Sequence, residues 1–87
     1  MNTAKVEYYD KKHNMGIIII NDTVRASLSR EVVGYGEKTF NALMGYVVTG
    51  ICFDFNMSDR LTFHAKTLKG IISQIEKAQH KIVKYRP

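Results

Sequence analysis

The sequence predicts a small α+β domain, a sheet of four to five strands with two helices in the order β-β-β-α-β-β-α. Three observations carry that expectation. The first 30 residues alternate or run in β-branched residues, a helical apolar period starts near residue 39, and a second closes the chain. Only 87 residues are available, 45% hydrophobic and 24% charged, the balance of a folded domain with one core. Residues 1–87 therefore read as a single compact unit, with no internal repeat, no low-complexity stretch and the sole proline at the very end.

Ala4–Lys12 alternates weakly and reads as a first strand, followed by a turn at Lys12-His13-Asn14. Met15–Ile20 contains four consecutive isoleucines. So short a β-branched run suits a strand buried on both faces, which predicts a central place in the sheet with Ile17–Ile20 inaccessible. Asn21-Asp22 is turn chemistry. Thr23–Ser29 alternates again, with Val24, Ala26 and Leu28 on one side and Arg25, Ser27 and Ser29 on the other.

From Thr39 onward, Phe40, Leu43, Met44, Val47 and Val48 recur at helical spacing, with Thr39 as N-cap and Gly50 beyond the C-terminus. Ile51–Phe55 and Arg60–Ala65 then read as a hairpin about the polar turn 56–59, although Ile51–Phe53 could instead prolong the helix. Thr67 caps a final helix whose stripe is Leu68, Ile71, Ile72, Ile75, Ala78 and Ile82.

Charge is unevenly placed. Residues 1–65 are neutral, seven basic against seven acidic, so the whole net charge of +5 lies in residues 66–87, where six basic residues face Glu76 alone. On a helix, Lys69, Lys77, His80, Lys81 and Lys84 fall on the polar arc, and Lys66, Arg86 and His64 extend it. One-sided positive potential suits phosphate contacts along a nucleic acid, or an acidic protein surface. The bland account is a solvated helix face whose lysines also complement the helix dipole. An anionic membrane surface is a weaker match, because so small a core needs the apolar stripe.

Other patterns are less specific. Tyr8, Tyr9, Lys11, Lys12 and His13 interleave aromatic and basic residues, as in sites that stack a base and hold its phosphate; ordinary strand packing accounts for them more simply. Gly36-Glu37-Lys38-Thr39 is not a P-loop, since Glu37 interrupts the Gly-Lys pair and the spaced glycine is missing. The three histidines and one cysteine have no partner at metal spacing, and the acids form no pair or cluster for acid–base work. No metal, cofactor, disulfide or enzymatic activity is expected. A single cysteine in so small a chain points to a reducing, cytoplasmic environment, and no segment is apolar enough to span a membrane.

Residues 39–53 carry no charge at all. In a helix, Ala42, Gly45, Tyr46 and Thr49 would then form a self-association face, and a homodimer is expected. The leading functional expectation is a non-enzymatic nucleic-acid-binding protein that uses the C-terminal helix. The rival is a stand-alone protein-binding inhibitor or adaptor of phage or mobile-element type, directed at a host nucleic-acid-processing or defence complex.

Overall fold

The structure is a computed structural model that describes residues 1–86. It contains six strands and one helix: β1 (Ala4–Asp10), β2 (Met15–Ile20), β3 (Val24–Tyr35), β4 (Ala42–Phe53), β5 (Asn56–Ala65), α1 (Leu68–Lys77) and β6 (Ile82–Lys84). The first five strands form an antiparallel meander in sequence order, and β6 pairs with β4. The expected two-helix β-β-β-α-β-β-α order is thus corrected to five strands, one helix and a last short strand.

The hairpin turns follow from local chemistry. Asn21 and Asp22 both take positive φ, 54° and 63°, and the Thr23 amide donates to the Ile20 carbonyl at 3.3 Å. That is the type I′ geometry a tight hairpin favours. Between β1 and β2, Asp10 pairs with Met15 and Asn14 takes the left-handed position, φ 55°. The β3–β4 turn repeats the same plan. Gly36 and Asn41 close it, but Phe40 occupies the left-handed position, φ 58°.

Residues 39–49 do not form a helix. Gly45 and Gly50 penalise a helix, whereas Tyr46, Val47, Val48, Thr49 and Ile51 favour a pleated strand. The missing charge has a different cause from the one expected. β4 is hydrogen-bonded on both edges and lies inside the sheet, between β3 and β5. The helical spacing of its apolar residues is incidental to a run that is apolar almost throughout.

β4 changes neighbours at Gly50. Its register with β3 ends at Ser27↔Thr49, and its register with β6 begins at Ile51↔Lys84. Gly50 sits between them with φ 86°, a conformation that side-chain-bearing residues adopt only with strain, and its carbonyl accepts from the Tyr85 amide at 3.0 Å. The β4–β5 register also shifts across this residue.

One face of the sheet is covered. Ile18, Ile20, Ala26, Leu28, Val48 and Ile51 point toward Ile71 and Ile75 of α1 and Ile82 of β6, all of them buried. Ile17 and Ile19 are half-buried on the other face, so the isoleucine run is buried on one side only. β2 is second from the edge, and the central strands are β3 and β4.

α1 begins where the sequence places it, with Thr67 Oγ1 accepting from the Gly70 amide at 3.0 Å. It ends earlier, at Lys77. Two contacts pull the following chain away from helix: Ile82 pairs with Phe53, and the Asn2 amide nitrogen donates to the carbonyls of Ala78 (3.2 Å) and His80 (2.9 Å). No helix among the described residues is long and apolar enough to cross a membrane.

Candidate functional site: a divided basic surface and an aromatic–basic cleft

The seven basic residues expected on one helical face are divided by the early end of α1. Lys66 precedes the helix, Lys69 lies in its first turn and Lys77 ends it. His80 and Lys81 occupy the loop, Lys84 lies on β6, and Arg86 follows the last strand. All seven are exposed, and none forms an ion pair among the described residues. Lys69 and Lys77 are eight residues apart, about 12 Å along a helix axis. The basic surface is therefore two groups at opposite ends of α1, with Lys84 and Arg86 displaced onto the β6 segment. His80 also meets two aromatic rings at steep angles, its ring centroid 4.7 Å from Phe55 and 5.5 Å from Phe53.

The proposed self-association face does not assemble either. On a strand, Ala42 and Tyr46 alternate with Gly45 and Thr49, so the four residues lie on opposite sides of the sheet. Gly45 is needed for close approach. A Cβ there would lie 2.5 Å from the Ala65 carbonyl oxygen and 2.7 Å from a Val33 methyl, so Gly45→Arg would disrupt the sheet rather than a dimer.

The sheet register instead gathers a cluster that local sequence did not advertise. Tyr9 of β1, Lys11 and Asn14 of the following turn, Arg30 of β3 and Tyr46 of β4 line an open cleft of about 370 Å³. The Tyr9 and Tyr46 rings meet edge to face, with centroids 5.6 Å apart. The Arg30 guanidinium lies 5.3 Å from the Tyr46 ring centroid and donates to Tyr46 Oη at 3.1 Å. Tyr9 Oη is buried and has no hydrogen-bond partner among the described residues.

Among the described residues, no acidic side chain lines this cleft. The nearest in sequence, Asp10, is occupied elsewhere. Its carboxylate contacts His13 Nδ1 at 2.6 Å and accepts from the Lys12 amide at 2.9 Å. The His13 contact holds the Asp10 carboxyl below its ordinary pKa; partial burial opposes this, and the turn amides reinforce it. Because Ala65 pairs with Tyr46, the chain carrying Lys66 into the first turn of α1 leaves from the same end of the sheet as the cleft.

A larger cleft, about 470 Å³, lies at the other end of α1 between Met1, Ser73, Glu76, Lys77, Ala78 and Gln79. Its one acid and one base offset each other, and it brings together no aromatic or hydrogen-bonding cluster. Of the aromatic–basic residues noted in the sequence, Tyr9 and Lys11 reach the smaller cleft. Tyr8 faces the opposite side of the sheet, in register with Ile17. Arg30 and Tyr46 were not expected here, since they join Tyr9 only through pairings between distant strands.

Among the described residues, no three His, Cys, Asp or Glu side chains converge as metal ligands. Cys52 is a buried free thiol. Comparison with known proteins finds no matching family model, no matching curated protein and no matching solved structure.

Proposed function

We propose that the protein is a non-enzymatic binding protein that holds nucleic acid through its phosphate backbone. One observation supports this above the rest. The basic residues from Lys66 to Arg86 are all exposed and free of ion pairs among the described residues, with Glu76 the only acid between them. Positive groups in that state attract phosphates and release the counterions condensed on a nucleic acid. Fluorescence anisotropy with labelled single-stranded DNA, duplex DNA and RNA at about 50 mM salt, where surface charges are weakly screened, tests the reading. Binding should weaken steeply as salt rises. Lys77→Glu with Lys81→Glu should weaken it at least tenfold for every sequence, because phosphate contacts position without discriminating. Absence of binding to all three ligands rejects the reading.

A second reading, an inhibitor or adaptor that docks on another protein, rests on the β3–β4 ribbon. Beyond Ser29 the strand β3 has left β2, and before Tyr46 the strand β4 has not met β5. This two-stranded extension carries Val32, Tyr35, Phe40 and Met44, which are 45%, 68%, 77% and 42% exposed. Its charged residues, Arg30, Glu31, Glu37 and Lys38, cancel. An apolar, neutral projection suits a protein surface better than phosphates.

A further inference from the structure

We infer that the cleft between Tyr9, Lys11, Asn14, Arg30 and Tyr46 is a nucleotide site, with the phosphate on Arg30 and Lys11 and the base against the tyrosine pair. The inference rests on the nucleic-acid reading above and supplies what the lysines alone do not, a place where one nucleotide is held by shape.

The lining chemistry selects the ligand. Arg30 and Lys11 are cations, neither in an ion pair among the described residues, and no carboxylate shares the cleft. The polar side chains that join them are Tyr46 Oη, Tyr9 Oη and the Asn14 amide. Tyr46 Oη accepts from Arg30 and so keeps its own proton for a ligand. Tyr9 Oη is buried without a partner among the described residues and has a hydrogen bond left to make. A ligand rich in acceptors and bearing negative charge answers all of these at once, and a phosphate ester is such a group.

Arg30 is also held in place before any ligand arrives. Its guanidinium is fixed over the Tyr46 ring and to the Tyr46 hydroxyl, yet four of its five N–H donors remain. Less side-chain freedom is then lost on binding, which favours affinity. The tyrosine pair makes the site more than an anion hole. The Tyr9 and Tyr46 rings, set edge to face, put an aromatic wall beside a phosphate-binding arginine, the combination of contacts that sequence-tolerant single-strand binders use. The volume, about 370 Å³, falls in the range of roughly 300–1,000 Å³ found for small-molecule clefts. A base inside a duplex cannot reach such a surface, so the nucleotide must come from a single strand or be free in solution.

The test follows backbone amide signals by NMR while thymidine monophosphate, thymidine or a short oligothymidylate is added. Thymidine monophosphate should shift the amides of Tyr9, Lys11, Asn14, Arg30 and Tyr46, and thymidine should bind at least tenfold more weakly. Arg30→Gln, which removes an exposed side chain and should leave the melting temperature nearly unchanged, should weaken the monophosphate at least tenfold. Lys11→Gln should weaken it less. The inference is overturned if monophosphate shifts centre on Lys77–Lys81. It is equally overturned by no shift at about 5 mM ligand, which would reveal even a Kd near about 1 mM. Oligothymidylate that binds without touching the cleft removes this site but spares the nucleic-acid reading. Monophosphate bound in the cleft with no affinity for any oligonucleotide does the reverse, and makes the cleft a site for free nucleotides.

Discussion

Asn2 links the beginning of the chain to its end. Its side-chain oxygen accepts from the Ile82 amide at 3.0 Å and from Asn21 Nδ2 at 2.9 Å, while its nitrogen donates to the Ala78 and His80 carbonyls. At 3% exposure it is the one buried polar residue among those described, and every one of its hydrogen-bonding positions is used. Asn21 completes the network, receiving the Thr3 amide at 3.0 Å and donating to the Ile82 carbonyl at 3.2 Å. Removal of the Asn2 amide would take a hydrogen bond from four buried or part-buried partners at once. Asn2→Ala should therefore destabilise the fold by about 2–4 kcal/mol, measured by urea unfolding. Asn2→Asp should be no better, because a carboxylate cannot donate to the two carbonyls and its charge would be buried. A loss below about 0.5 kcal/mol for both variants would show that water replaces the network. None of this is legible locally, since an asparagine at the second position gives no sign of partners about 80 residues away.

Among the elements, legibility tracked how local each determinant was. β2 and the start of α1 lie where the isoleucine run and the Thr67 cap place them, because those signals are short-range. β4 reads as a helix in the sequence because its apolar residues satisfy both periods, and what decides between them is hydrogen bonding to β3 and β5. β6 has only three residues and exists because Phe53, Cys52 and Ile51 offer an edge that β3 has vacated beyond Gly50. The cleft has the same origin, since Tyr9, Arg30 and Tyr46 meet through three strands' registers rather than any motif.

The β3–β4 ribbon is the element where local chemistry and structure disagree most openly. Asn14, at the matching turn position between β1 and β2, tolerates the left-handed region; Phe40 pays about 1 kcal/mol or more to be there. That ring is also 77% exposed, so it recovers little by packing within the chain. Phe40→Gly should accordingly raise stability by about 1 kcal/mol, seen as a higher melting temperature. If the ribbon docks on a protein, the same variant should lose that partner while gaining stability, a combination no purely structural role produces. A variant less stable than the parent would show that the aromatic ring packs at the tip after all.

At the scale of the molecule, the division of the basic surface changes what phosphate binding should look like. A single lysine face would engage as one block, so that removing either half would abolish binding. Two groups at opposite ends of α1, Lys66 with Lys69 and Lys77 with Lys81, are separated by about 12 Å and share no side-chain partner. Sites that far apart contribute almost independently, to within about 0.5 kcal/mol. If both groups contact phosphates of one strand, Lys66→Gln/Lys69→Gln and Lys77→Gln/Lys81→Gln should each reduce the slope of log K against log salt. The reduction is about 1.4 per pair on single strands, where each phosphate contributes roughly 0.7. The quadruple variant should lose the sum of the two effects. Glutamine keeps each side chain's length and leaves the helix stripe of Ile71 and Ile75 untouched, so the fold should be retained. Should one pair carry the entire salt dependence, the strand runs past only one end of α1. The pair at the cleft's end of the sheet, Lys66 with Lys69, is then the one expected to matter, because Ala65 pairs with Tyr46 and a strand passing that end can lay a neighbouring nucleotide against Tyr9 and Tyr46.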